Sequence, residues 1–450
     1  MKKIYSKIRF AYYYIVNSIG FYPTLISFCF ALLALVMLYL ETLGISKVLK
    51  DDISFVIISN SETARLILSS ITTGIISLTV FSFTMVMLVL NQASSNFTPR
   101  VIPGLISYKS NQRVMGLYLG TLIYTLIVMV NVHSDYYGIP LPGFSIFLAM
   151  CFTILCLGFF VYFIHSISLS IQIESILESI YEVTREKLKN EIKHDGGVVL
   201  ERPGAGGQWY PVLSSQTGYL QSMETESVLE LCKKYGVVLC FEQPLGNFII
   251  NGIPFAKVNK MLPDAEEFRD ALFVHLNFYR EERPDVNYLF GFKHITESAI
   301  RALSPSLNDP GTAIKAIDYL TDLFVLRMQL TDEKVLCDKD GEGRVIFLQE
   351  TFEHLMDLCL SPIRLYSKES CVVVLRILYL FRSLLFKVEK HPHLKPVLYK
   401  EILVLLQDAD KGIMNTSDRE RVNVQVKELN QMQVLQKNLQ LLSIKPPAQD

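Results

Sequence analysis

Four long stretches of this chain contain no aspartate, glutamate, lysine or arginine. Ionised side chains inside a bilayer mark proton relays and ion-coupled pathways. Here only His133 and His165 stand near the ends of those stretches, which disfavours coupled transport. The eight cysteines form no CxxC pair and no Cys/His cluster, so neither a disulfide framework nor a metal centre is indicated. A net charge of -1 gives no electrostatic footprint for nucleic acid. No nucleophile and base stand at a readable spacing, which disfavours an enzyme, and nothing calls for a cofactor.

What is present is apolar length. Half of the 450 residues are hydrophobic, and the mean hydropathy is +0.30. The stretches 21–40, 66–90, 115–132 and 144–164 approach or exceed the roughly 20 residues that cross a bilayer. In lipid the backbone must satisfy its own hydrogen bonds, so all four are expected as helices. The first is too long for a cleaved signal peptide and has no small-x-small site after it. The opening "MKKIYSKIR" is basic, as is the second loop with Arg100, Lys109 and Arg113; the third loop, "VHSDYYGIPLPG", has no Lys or Arg. The first loop mixes both signs. The positive-inside bias predicts both termini in the cytosol.

The second stretch reads "LILSSITTGIISLTVFSFTMVMLVLNQASSNFTPR". At 100° per residue, Ser70, Thr73, Gly74, Ser77 and Thr84 share one face with Phe81 and Leu88, and Asn91 continues it. Small and hydroxylated residues let helices approach closely. The same stripe would also serve as the wall of an axial pore in an oligomer, wetted by hydroxyls and gated by rings of Phe81 or Leu88.

After residue 168 the composition changes. Residues 169–195 predict one amphipathic connecting helix, either a stalk between subunits or a helix on a domain surface, with Glu182/Arg185 and Glu186/Lys189 spaced to support it. Residues 196–260 predict a small β-rich module built as a sandwich of two similar halves. Its "GAGG" at 204–207 has no strand–loop–helix setting for a phosphate loop. A short helix at 226–235 is capped by Thr225 and stopped by Gly236. The Asn251-Gly252 pair predicts a hairpin turn of the primed type. Residues 261–450 read as helical almost throughout, with "GRVIFLQETFEHLMDLC" as one helix and the last from 418 to 442. The predicted fold class is therefore an α-helical polytopic membrane domain (1–168) followed by a cytosolic α+β domain, a β-rich module plus a helical bundle.

Within that bundle, "RALSPSLNDPGTA" interrupts the helical pattern. Ser304-Pro305 ends one helix, and Asp309 with Pro310 starts the next as N-cap and N1 residue. The other reading is a functional loop, in which Arg301, Ser304, Asn308 and Asp309 hold an anion or face another subunit. His294 and Glu297 share a helix face as a two-ligand metal pattern without a third ligand. The "HPH" at 391–393 reads as a solvated turn.

"FSFTMVMLVLNQASSNFTPRVI", "TGYLQSM", "GNFIINGIPFAKV" and "RALSPSLNDPGTA" together resemble the bacterial predicted membrane proteins grouped as domain of unknown function 2254. The resemblance covers about residues 1–430 and implies a multi-pass protein of the bacterial inner membrane, without an assigned activity. In that family's pattern an acid follows a Gln upstream of the proline loop, where this chain has Val286 and Asn287. The functional expectation is a self-associating passive channel or pore in the lipid bilayer. The alternative is a membrane-anchored regulatory or scaffold protein acting through its cytosolic domain.

Overall fold

A computed structural model describes residues 20–43, 60–96, 109–132, 141–170, 173–194, 203, 207–279 and 282–444. The N-terminal basic run, Arg100, most of the third loop and glycines 204–206 lie outside the described residues. The chain divides into two compact units, Met1–Gln172 and Ile173–Asp450.

The first unit consists of α1 (Phe21–Thr42), α2 (Ser61–Asn96), α3 (Lys109–Val130) and α4 (Gly143–Ser170). All four are long and apolar enough to cross a membrane. Each is built on one of the predicted stretches, and α2 runs 36 residues. Helix α3 packs against the other three. Its closest contact is with α1, at Gly116 and Gly120, one helical turn apart. A Cβ on Gly116 would lie 2.8 Å from Ile26, and one on Gly120 2.9 Å from the Phe30 ring. Between helices already immersed in hydrocarbon, such close backbone approach is a main source of association.

The second unit opens with α5 (Ile173–His194). Ile176, Leu177, Ile180, Thr184 and Leu188 are buried, and α5 packs on the later helices α8 (Tyr288–Ala302) and α9 (Pro310–Arg327). It is a surface helix of its own unit. Its charges work across helices: Arg185 and Tyr181 both bond Asp322 of α9, at 2.9 and 2.8 Å. Tyr181 also stacks on Tyr319.

Two sheets follow. The larger has the order β1-β5-β3-β8-β7 and the smaller β4-β2-β6. Strands β1 (Tyr210–Leu213), β2 (Gly218–Met223), β3 (Leu239–Phe241), β4 (Phe248–Ile249) and β5 (Pro254–Val258) come from the expected β-rich stretch. Helix α6 (Thr225–Tyr235) ends at Gly236, which takes the left-handed conformation with φ 64°. Its N-cap is Glu224, one residue before the expected Thr225. Helix α7 (Ala265–Val274) and α6 cover the sheets. Phe241, Phe255 and Phe273 run through their core as a chain of edge contacts.

Several expectations are corrected here. The sandwich has no two similar halves: it has five strands and three. Asn251-Gly252 links strands of different sheets, closing a turn in which Ile253 N–H donates to the Ile250 carbonyl at 3.2 Å. Only Gly252 has positive φ, 80°, which is a type II turn and not a primed one. Three strands lie in the region expected to be helical: β6 (Leu276–Tyr279), β7 (Glu333–Cys337) and β8 (Gly343–Leu348). β8 pairs in parallel with β3 and so belongs to the large sheet.

The remaining helices are α10 (Phe352–Ser367), α11 (Cys371–Lys387), α12 (Lys395–Gly412) and α13 (Thr416–Gln431). α11 is a buried core helix whose Arg376 is paired with Asp318 of α9. α13 stops at residue 431, short of the expected 442, and Gln433 takes φ 53°.

Candidate functional site

Helix α2 has three distinct sides. Ala64, Leu68, Ile71, Ile75 and Ser82 are buried against sibling helices. Ile67, Leu78, Met85, Val86 and Val89 are partly buried beside them, and much of the remaining described surface is exposed. One flank exposes Leu66, Ile76, Val80, Phe83 and Met87, with Ser69 among them. The other carries the hydroxyl stripe: Ser70, Thr73, Gly74, Ser77, Phe81, Thr84, Leu88 and Asn91 are all exposed.

An unpaired hydroxyl in hydrocarbon costs several kcal/mol by order of magnitude. The stripe avoids that cost locally. Ser70 donates to the Leu66 carbonyl at 2.8 Å, Thr73 to Ser69 at 3.0 Å, Ser77 to Thr73 at 3.0 Å and Thr84 to Val80 at 2.8 Å. Each hydroxyl proton is thereby used, while oxygen lone pairs still face outward. A Cβ on Gly74 would meet open space. The Phe81 ring leans edge-on against Phe160 of α4, centroids 5.7 Å apart, and stays 43% exposed. Ser70 also borders a shallow apolar groove of about 460 Å³ between α2 and α4, with Met150, Thr153 and Ile154 on its far side.

Two ionised residues of the first predicted loop belong to this unit's helix ends. Glu41, in the last turn of α1, is buried, and its carboxylate accepts from Ser145 N–H at 3.0 Å and from the Ser145 hydroxyl at 3.3 Å. It sits at the start of α4, where the helix dipole favours an anion. Arg65 donates through Nε and Nη2 to the Val132 carbonyl, just past the end of α3, at 3.3 and 2.8 Å. That is the complementary arrangement, a cation at a helix C-terminus. Sequence reading left these charges in an ambiguous loop. The Gly-xxx-Gly spacing of Gly116 and Gly120 was a legible signal for the α1–α3 contact.

In the second unit the proline loop is built as a helix start. Asp309 accepts from Thr312 N–H at 3.2 Å and from its hydroxyl at 2.6 Å, and Pro310 takes the first turn. The Thr312 hydroxyl holds the Asp309 carboxyl below its ordinary pKa. Thus Asp309 itself supplies the negative charge at this helix N-terminus. Asn308 takes the left-handed region with φ 45°. Ser304 Oγ donates to the Arg301 carbonyl at 2.7 Å, and Arg301 is half-buried. Val286 and Asn287 precede α8, where Asn287 Oδ1 accepts from Leu289 N–H and its Nδ2 donates to the Leu245 carbonyl. The side chain so ties the β-rich segment to a helix start.

His294 is buried and faces Glu282 at 3.2 Å. Among the described residues no group of three metal-capable side chains is present. Asp338, Asp340 and Glu342 crowd the β7–β8 turn, where the chain's own cations answer them. Arg344 Nε bonds Asp338 at 3.0 Å and lowers its pKa, while Lys233 pairs with Asp340. All eight cysteines are free thiols. Burial pushes the Cys232 and Cys359 thiols up to about 12, far from a reactive thiolate.

Comparison with known proteins places these features in a family. An uncharacterized protein of Mycobacterium bovis and another of Mycobacterium tuberculosis are each 24% identical over 371 residues, covering 80% of this chain and 70% of the relative. No solved structure matches. A family profile described as "Predicted membrane protein (DUF2254)" matches residues 16–383, from ahead of the first membrane helix through most of α11. The chain belongs to that family of predicted membrane proteins.

Proposed function

We propose that the protein is a homo-oligomeric passive ion channel or pore of the bacterial inner membrane, with the hydroxyl flank of α2 from each subunit lining the path. The observation that carries this reading is the exposure of the hydroxyl stripe of α2. Hydroxyls, a glycine and Asn91 stand exposed on the side away from sibling packing, while the exposed Leu66, Ile76, Val80, Phe83 and Met87 suit lipid. Passive conduction is supported because Glu41 and Arg65 are engaged at helix ends, so neither is poised to move an ion.

Both termini are proposed to lie in the cytoplasm. Glu41 and Arg65 come from the one loop of mixed charge, and their engagement leaves fewer free charges there to weigh against the basic N-terminal run. The soluble unit would then form a cytoplasmic vestibule or gate.

Reconstitution into liposomes tests the reading. Purified protein passes ions, and Phe81→Ala raises basal current by widening the constriction. Vesicles that remain tight under voltage and tension, or a strict monomer in detergent, sink it.

One observation favours a second reading. The hydroxyls of Ser70, Thr73, Ser77 and Thr84 are each bonded back to their own helix, so the stripe is also tolerable against lipid. The protein would then be a membrane-anchored regulator or scaffold. Tight liposomes combined with a phenotype lost on deleting residues 196–450 would favour it.

A further inference from the structure

Beyond α13 the chain doubles back, and a short extended strap returns along that helix. Asn430 accepts from Leu439 N–H at 2.8 Å and donates to the Leu439 carbonyl at 3.0 Å. Asn423 does the same for Leu442, at 2.7 and 3.0 Å. Ser443 N–H donates to Asp410 at 3.3 Å, and the Ser443 carbonyl accepts from Arg419 Nε at 2.5 Å. Three residues of the strap thus have both backbone groups satisfied by side chains.

The spacing explains why this works. Two asparagines seven residues apart on a helix are about 10.5 Å apart along its axis. Leu439 and Leu442, three residues apart in an extended chain, are about 10 Å apart. The two repeats match with the strap running antiparallel to α13. Arg419 is fully buried and is itself fixed by the Asp410 and Ile413 carbonyls. Arg419 is thus held by bonds that do not depend on the strap.

What the clamp recognises follows from its contacts. It reads main chain, with side-chain selectivity only at Leu439 and Leu442, which are buried. Gln440 between them is exposed, and Leu441 and Ile444 point outward, 46% and 63% exposed. This is peptide recognition, with the chain's own tail as the peptide.

We propose that the groove on α13 is an exchange site that takes residues 439–443 of a second copy of this chain. An identical element exchanged between copies remakes every clamp bond in trans. Only the connection at 432–438 has to change. It holds Gln433 at φ 53°, a conformation costly for a residue other than glycine and released when the connection opens. Those seven residues reach about 24 Å when extended, enough to cross to a neighbour. A neighbouring copy would also cover Leu441 and Ile444. Clamp and strap lie beyond residues 16–383, the part matched by the family profile. The inference does not depend on conduction.

The test uses the full chain in membranes. Two differently tagged copies are expressed in one cell, the first with a photo-reactive phenylalanine analogue replacing the exposed Gln440. Irradiation should give an adduct carrying both tags, mapped by peptide mass to residues 416–431 of the second copy. Asn430→Ser in a second copy whose own strap is kept from seating by Leu439→Asp and Leu442→Asp should reduce that adduct about fivefold, the factor that loss of roughly 1 kcal/mol of hydrogen bonding gives, because the first copy's strap can then stay in its own intact groove. The milder Asn430→Gln, which keeps both bonding groups, guards against a fold effect and should reduce it less. Adducts confined to one chain, adducts mapped away from α13, or indifference to Asn430→Ser would each overturn the proposal. Because no current is read, its failure leaves the pore reading standing, and the reverse holds too.

Discussion

Glu41 and Ser145 are 104 positions apart and meet at the start of α4, where one carboxylate oxygen takes both the amide and the hydroxyl of the serine. Tyr124 completes the arrangement by donating to the Ser145 carbonyl at 3.1 Å. Three helices are thereby joined at one residue. The buried carboxylate is matched by hydrogen-bond donors and a helix dipole, which is how a charge is tolerated there.

Glu41→Gln keeps the shape and removes the charge, so it should destabilise the membrane unit by up to about 2 kcal/mol. Glu41→Ala also leaves the Ser145 N–H unpaired and should cost more. Thermal unfolding in detergent measures both. Equal midpoints for the three proteins would show that the contact is unimportant.

Two glycines separate protomer packing from assembly. Gly120→Leu must displace the Phe30 ring, 2.9 Å from the new Cβ, and should destabilise the α1–α3 pair by about 1–3 kcal/mol. Gly74→Leu has open space in the protomer and should leave that stability within about 0.5 kcal/mol. If the stripe packs in an oligomer, Gly74→Leu nonetheless disperses it in size-exclusion chromatography.

The cap at Asp309 predicts an acid dependence. Its folded-state pKa is below the ordinary 3.8, because the Thr312 hydroxyl favours the carboxylate. Its stabilisation is therefore complete above that value and is lost as pH falls through the folded pKa. Asp309→Ala should cost about 1 kcal/mol near neutrality. The difference from the parent should shrink in denaturation curves taken below the ordinary carboxylate range.

Glu401 predicts the opposite slope. It is buried between α10, α11 and α12 beside Leu360, Ile377, Phe381 and Leu405, and burial raises its pKa above the ordinary 4.5. Arg364 opposes the shift, Asp357 adds to it, Lys400 opposes it and Glu353 adds to it. The folded chain then binds more protons than the unfolded one, so stability declines as pH rises from the ordinary value through the folded pKa. Glu401→Gln should flatten that decline and raise stability at pH 8 relative to pH 5. Parallel pH profiles for the two proteins would refute the assignment.

The membrane helices were legible because length and lack of charge suffice to identify them. Their helix-end partnerships were not: a composition count cannot tell that Glu41 reaches Ser145 or that Arg65 reaches Val132. The β7–β8 hairpin escaped notice because Val345, Ile346 and Phe347 form an apolar run buried in a sheet, which lacks the alternation of a half-exposed strand. Such a run reads equally as part of the helix that follows. Asp309 was legible because capping is local. The partner of His294, Glu282, lies on a separate segment, which spacing along one helix cannot reveal. The strap at 439–443 was taken for helix, since Leu439 and Leu442 fit a helical period as well as an extended one.

The 36 residues of α2 make a rod about 54 Å long, against a hydrocarbon layer of about 30 Å. Arg65 anchors it near the N-terminal end at the Val132 carbonyl, so the surplus accumulates at the other end. Several turns of α2 must then stand in headgroups and water, with Asn91 among them. The excess, about 24 Å, corresponds to roughly sixteen residues of helix rise.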